Sequence, residues 1–161
     1  MNIRIMTIDD YPAVYALWDS LPGIGLHEGE DSCEGMAYYL RRNPESCFVA
    51  EETTPVETVP QETLATPSTE GNCRIIGAVL CGNDGRRGYI NHLAVAKEHQ
   101  GRGLGRALVE ACLAAMRKEG IRRCCFVVYR SNDEGNAFWD AIGSVRRDEA
   151  LYRSIGTGVE S

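Results

Sequence analysis

Long hydrophobic runs are missing from this 161-residue chain: no stretch approaches the roughly 18 residues of a membrane-spanning helix, so no membrane association is expected. The opening Met1-Asn2-Ile3-Arg4-Ile5 alternates in polarity and lacks the apolar core and cleavage site of a secretory signal, which leads to the expectation of a cytoplasmic protein. Basic charge is also short. Seventeen Lys and Arg stand against 23 Asp and Glu, and a net charge of -6 has the wrong sign for gripping a polyphosphate backbone, so no nucleic-acid partner is expected. The seven cysteines (Cys33, Cys47, Cys73, Cys81, Cys112, Cys124, Cys125) are odd in number, contain no C-x-x-C pair and mostly sit in apolar runs. That pattern favours reduced core thiols over a disulfide framework or a zinc site, and no metal is expected. No internal repeat is seen.

What is present is an ordinary globular composition, 43% hydrophobic and 25% charged, at a length that suits one domain over residues 1–161. Ile3-Arg4-Ile5-Met6 reads as a strand, and Thr7 with Asp10 resembles a capping box opening a helix with Tyr11, Val14, Leu17, Trp18 and Leu21 on one face. Leu21-Pro22-Gly23-Ile24-Gly25 ends it, and a second helix, capped at Asp31 or Ser32, runs to Asn43-Pro44. A strand over Cys47–Ala50 precedes residues 52–72, where Thr, Glu, Pro and Ser dominate, no period survives and a flexible insertion is predicted. Strands follow at Ile75–Cys81 and Tyr89–Val95, antiparallel across the Asn83-Asp84-Gly85 turn. A long amphipathic helix then carries Leu104, Leu108, Ala111, Cys112, Ala115 and Met116. The run Cys124–Tyr129 reads as a strand covered on both faces, Ser131 and Glu134 cap a fourth helix, and a weak strand is expected near Ala150-Leu151-Tyr152. The order β-α-α-β-β-β-α-β-α-β describes an α/β (α+β) protein with a mixed, mostly antiparallel central sheet flanked by about four helices.

Chemistry concentrates at Gln100-Gly101-Arg102-Gly103-Leu104-Gly105-Arg106. Its glycines permit a tight turn and leave N–H groups uncovered at a helix N-terminus, where the peptide dipoles favour a phosphate or pyrophosphate. A Rossmann fingerprint fails, because Arg106 stands where its third glycine or an alanine belongs and Tyr129-Arg130-Ser131 where its carboxylate would be. The Gly-Lys-Ser or Gly-Lys-Thr of a Walker motif is absent.

Gln100-x-x-Gly103-x-Gly105, preceded by Leu93-Ala94-Val95 and followed by an amphipathic helix and a strand, resembles motif A of the GNAT N-acetyltransferase superfamily. Asn132 with Phe138, Trp139 and Gly143 is similar to its motif B, Asn-x-x-Ala-x-x-Phe-Tyr then Gly-Phe. Within the superfamily, the bacterial small-amine acetyltransferases with a Gly-Tyr-x-x-His-Leu-Ala-Val strand are nearest. The resemblance implies acetyl-CoA as cosubstrate and a small-molecule or peptide amine as acceptor, and it is compatible with a homodimer. It implies that Gly101, Arg102, Gly103, Leu104, Gly105 and Arg106 hold the pyrophosphate through backbone N–H groups. Leu93, Ala94 and Val95 would then line up with the pantetheine arm like an added strand, and a bulge there would aim an N–H at the thioester carbonyl. Gln100, Asn132, Phe138 and Trp139 complete the implied cofactor set, with Asn132 equally suited to a helix N-cap.

The acid and base do not follow the family pattern. Trp139 occupies the place of the motif B tyrosine and has no usable proton, so the acid role passes to Tyr129 or to water. Tyr89 and Asn91 fall where relatives carry a glutamate or histidine base, and neither is a good base at neutral pH, so a water chain past them is the expected proton route. His92 is the one imidazole nearby, but alternation points it to the opposite face unless a bulge turns it. The two readings are therefore an N-acetyltransferase working by direct attack in a ternary complex and a non-catalytic acyl-CoA-binding module. Glu28, Glu30, Asp31 and Glu34 would attract a cationic acceptor, or serve as solvated helix-start charges.

Overall fold

A computed structural model describes residues 1–54 and 72–157. Five strands form one sheet in the order β1-β2-β3-β4-β5: β1 (Asn2–Ile5), β2 (Phe48–Thr54), β3 (Asn72–Asn83), β4 (Gly88–Val95) and β5 (Cys124–Cys125). The first four are antiparallel and β5 joins β4 in parallel, so the mixed, mostly antiparallel sheet is as the element order predicts. The helices are α1 (Tyr11–Asp19), α2 (Cys33–Arg42), α3 (Leu104–Lys118) and α4 (Asp133–Ala141). No helix among the described residues is long and apolar enough to cross a membrane.

The capping box forms as read: the Thr7 N–H donates to Asp10 Oδ2 at 2.8 Å. Arg4 reaches both carboxylate oxygens of Asp10, at 2.8 and 2.7 Å, and Glu51 at 2.9 Å, tying β1, the first helical turn and β2 together. α2 starts at Ser32, whose Oγ accepts from the Gly35 N–H at 3.1 Å. Trp18, Met36, Val49, Ile76, Leu108 and Met116 centre a core that contains Cys47, Cys81 and Cys112. All seven cysteines are free. Burial pushes the Cys47 thiol up to about 12, so it stays protonated and packs as a small hydrophobe.

Four expectations need correction. The fourth helix is capped by Asn132 and not by Ser131 with Glu134, because the chain turns helical only at Asp133 and the Asn132 side chain accepts from the Gly135 N–H. Residues 55–71 of the segment read as an insertion lie outside the described residues, but 52–54 finish β2 and 72 begins β3. Polar side chains hid that pairing, because ladder bonds belong to the backbone; Glu52↔Arg74 and Thr53↔Cys73 are paired. The apolar run from Cys124 pairs with β4 for two residues only, and Val127 and Tyr129 are exposed, so it is not a strand covered on both faces. No strand forms at Ala150-Leu151-Tyr152; Leu151 and Tyr152 are exposed, with no partner strand to complete a ladder.

Candidate active site

The short β5 creates the site. Gly88 and Tyr89 pair with Cys124 and Cys125, after which the two chains part and, among the described residues, the β4 edge from Ile90 onward has no strand neighbour on that side. A cavity of about 940 Å³ opens there, walled by Ile90–Val95 of β4, Phe126–Tyr129 beyond β5, the loop between α1 and α2, and the start of α4.

A bulge in β4 decides which side chains enter it. Ala78 faces Ala94 while Leu80 faces Asn91, so three steps on β4 oppose two on β3. His92 takes the strain, with φ of 48°. Neighbouring contacts fix the two faces of the sheet. A Cβ on Gly82, which pairs with Tyr89, would meet the Tyr39 hydroxyl and Asn43 on the α2 side, whereas one on Gly77, which pairs with Val95, would meet Leu108 of α3. Tyr89 and Asn91 therefore face α2, and unbroken alternation would send His92 toward α3. Instead the bulge turns its imidazole to the α1–α2 side, edge-on to Trp18 with ring centroids 4.9 Å apart, and the Trp18 indole N–H donates to the His92 carbonyl at 3.1 Å.

There His92 Nε2 lies 2.7 Å from Asp31 Oδ1. Asp31 is 5% exposed; its other oxygen accepts from the His27 N–H at 2.8 Å and its carbonyl accepts from the Tyr11 hydroxyl at 3.0 Å. Burial works to raise the Asp31 pKa, but the bonds from His92 and His27 outweigh it and hold the carboxyl below the usual carboxylate range. An ionised carboxylate only accepts, so Nε2 carries a proton, and in the neutral ring the lone pair is on Nδ1. Both residues line the cavity.

At the other end lies the glycine turn. Gly101 and Gly103 have φ of 72° and 83°, and no atom lies within 4 Å of where a Cβ would stand on either. The N-terminus of α3 thus opens on bare backbone, a cradle that fits an anion. Gly105 is close-packed instead, since its Cβ would touch the Phe138 ring at 3.2 Å.

Of the residues singled out from sequence, Asn91, Leu93, Ala94, Val95, Gln100, Gly101, Gly105, Tyr129, Asn132, Phe138 and Trp139 border the cavity. Gln100 Nε2 donates to the Val95 carbonyl at 3.0 Å, bracing strand end and turn. Trp139 is buried, stacked on Phe126 with centroids 3.7 Å apart and edge-on to Phe138. Asn132 caps α4, its Oδ1 accepting from the Gly135 N–H at 2.9 Å. Arg102, Gly103, Leu104 and Arg106 are not in the wall; Leu104, the first residue of α3, is buried in the core, and Arg106 donates to the Ala141 carbonyl at 3.1 Å. Tyr89 is a correction. It lies outside the cavity with its hydroxyl on Asp84 Oδ2 at 3.1 Å, because it sits at the paired, far end of β4. Of the four acidic residues between Glu28 and the first turn of α2, Glu30 and Asp31 reach the wall while Glu28 and Glu34 do not. The His92–Asp31 pair is not legible as a site in the sequence, although two successive polar residues, Asn91-His92, break the alternation of the strand at the place where the bulge forms.

Comparison with known proteins gives four similarities. The family model described as Acetyltransferase (GNAT) family matches residues 11–143. N-alpha-acetyltransferase 30 of Schizosaccharomyces pombe is 33% identical over 95 residues, 56% of this chain and 63% of that protein, so the match spans less than two thirds of the relative. Among solved structures, Ard1 from Thermoplasma volcanium superposes with a TM-score of 0.66 at 19% identity, covering 89% of this chain and 82% of the other. Rv2747 from Mycobacterium tuberculosis, in complex with CoA and NLQ, does so with 0.57 at 19%, covering 86% and 70%.

Proposed function

The chain belongs to the GNAT acetyltransferase family, and from that membership we propose that it is an N-acetyltransferase moving an acetyl group from acetyl-CoA to a primary amine, small-molecule or peptide, by direct attack in a ternary complex. The observation that carries this reading is the bulged, unpaired edge of β4 running from the cavity to the open glycine turn. The bare backbone at Gly101 and Gly103 fits a pyrophosphate, and the free β4 edge fits a pantetheine arm as an added strand. Bound acetyl-CoA supplies an activated thioester carbonyl. This chain's own part is to hold the cosubstrate along Leu93–Val95 and at residues 101–106, to offer a bulge N–H to the developing oxyanion, worth about 3 kcal/mol in comparable sites, and to keep water out behind Phe126, Phe138 and Trp139. Tyr129, at the cavity wall, supplies a hydroxyl proton to the departing thiolate.

A buried Trp139 without a transferable proton favours the second reading, a non-catalytic acyl-CoA-binding module. Calorimetry with CoA and a thiol-release assay over a panel of amines, amino acids and peptides test both. Binding with turnover of at least one amine is expected. Binding without turnover would leave the module, and no binding would remove the cavity from either role.

A further inference from the structure

The α1–α2 loop crosses to β4 and sets a buried carboxylate against the one imidazole in the cavity wall that the bulge turns inward. We propose that His92 is the catalytic base of the transfer, its Nδ1 taking a proton from the acceptor's ammonium group, with Asp31 as the positioning residue that holds the ring. This rests on the acetyl-transfer reading above and names the proton acceptor that Tyr89 and Asn91 do not supply.

Three observations carry it. Nε2 is committed to Asp31 at 2.7 Å, which holds the neutral ring in the tautomer with its lone pair on Nδ1. Among the described residues Nδ1 has no hydrogen-bond partner, yet the one buried side-chain polar atom left without one is His99 Nδ1, so His92 Nδ1 is not sealed off. The strained φ of 48° at His92 is the cost of turning the imidazole off the α3 face, and a core-packing histidine would not require it.

The step balances as follows. R–NH3⁺ gives one proton to Nδ1, making R–NH2 and an imidazolium beside Asp31. The amine nitrogen bonds to the thioester carbon, the C–S bond breaks, Tyr129 gives its hydroxyl proton to the departing sulfur, and the second nitrogen proton restores the Tyr129 hydroxyl. Amide and CoA thiol leave, and His92 returns its proton to water. Asp31 is the titratable group bonded to the ring, and the others lining the cavity are His27 and Glu30 of the loop, Tyr38 and Tyr39 of α2, Tyr129, Glu134 and Tyr152. Burial pushes Tyr39 up, so it is neutral throughout the working range.

The test uses acetyl-CoA and the best amine of the panel. His92→Gln keeps a donor for Asp31 but takes no proton. It is expected to retain acetyl-CoA affinity while kcat/KM for the amine falls roughly 10²- to 10⁴-fold, a deficit that shrinks at high pH or with an amine of low pKa. Asp31→Asn removes the counter-charge and moves the midpoint of the pH profile to lower pH, which a merely structural contact would not do. Should either variant fail to fold, proton NMR of the unaltered chain decides: the His92 ring must titrate with the midpoint of kcat/KM. Full turnover with an unchanged profile in His92→Gln, or a His92 ring silent where the rate changes, overturns the assignment. A panel with CoA binding and no turnover overturns the acetyl-transfer reading itself, and this one with it.

Discussion

Replacing Gly103 by alanine separates what the glycine turn does for the fold from what it does for a ligand. Gly103 precedes α3 with φ of 83° and open space where a Cβ would go, and Gly120 follows the same helix with φ of 76° and equally open space. Neither alanine meets another atom, so each loses stability only through the left-handed conformation, about 1–2 kcal/mol for an L-residue, or roughly 2–8 °C in Tm for a chain of this size. The pair therefore shares its strain and differs in place. At Gly103 the methyl would also stand between the backbone and a bound pyrophosphate; losing one charge-assisted bond costs about 1.5–3 kcal/mol, roughly a 10- to 150-fold rise in Kd. Calorimetric titration with CoA, beside thermal melts, should show matching Tm losses and weakened binding in Gly103→Ala alone. Equal CoA affinity in the two variants would refute the assignment of the turn to an anion.

Trp139→Phe keeps an aromatic ring against Phe126 and should preserve most turnover, whereas Trp139→Ala should cost about 3–5 kcal/mol in urea unfolding; a thousandfold fall in kcat for the phenylalanine variant at unchanged CoA affinity would assign the indole a direct role. Glu30 lines the cavity and Glu28 does not, so Glu30→Gln should raise KM for a cationic acceptor up to about fivefold, fading as salt rises, with no change in Glu28→Gln; a neutral or anionic acceptor would end this reading. Asp10 is buried, which raises its pKa, but bonds from Arg4 and Thr7 outweigh burial and lower it. A depressed folded pKa contributes stability that is present above the ordinary carboxylate value of about 4 and is lost as pH falls through the folded one. Urea unfolding from pH 7 to 2 should show that loss, and Asp10→Asn should be less stable at pH 7 with a shallower acid slope; parallel curves would show the Arg4 contact to be inert.

Local chemistry made much of this protein readable in one dimension. The capping box at Thr7, the Ser32 cap, the α3 periodicity and the glycine turn each depend on residues within a few positions of one another, and each has its place in the structure. The alternating strand Tyr89–Val95 and the motifs beside it carried the family resemblance, and the family is the one the chain belongs to. Pairing was harder to read. Glu51, Glu52 and Thr53 joined the ladder despite their polarity, while the apolar run after Cys125 left it, since side-chain composition does not report where a partner backbone ends. The same gap concealed the centre of the site. Tyr89 lies at the far, paired end of the strand with its hydroxyl on Asp84, and His92 and Asp31 lie 61 positions apart. The sequence alone determined the turns, the caps and the glycine cradle, because those are short-range hydrogen-bond and dihedral problems. Only the tertiary structure decided that β5 stops after two residues and that a one-residue bulge turns an imidazole onto a buried carboxylate, because register and facing are set by the whole sheet and the helices packed on it.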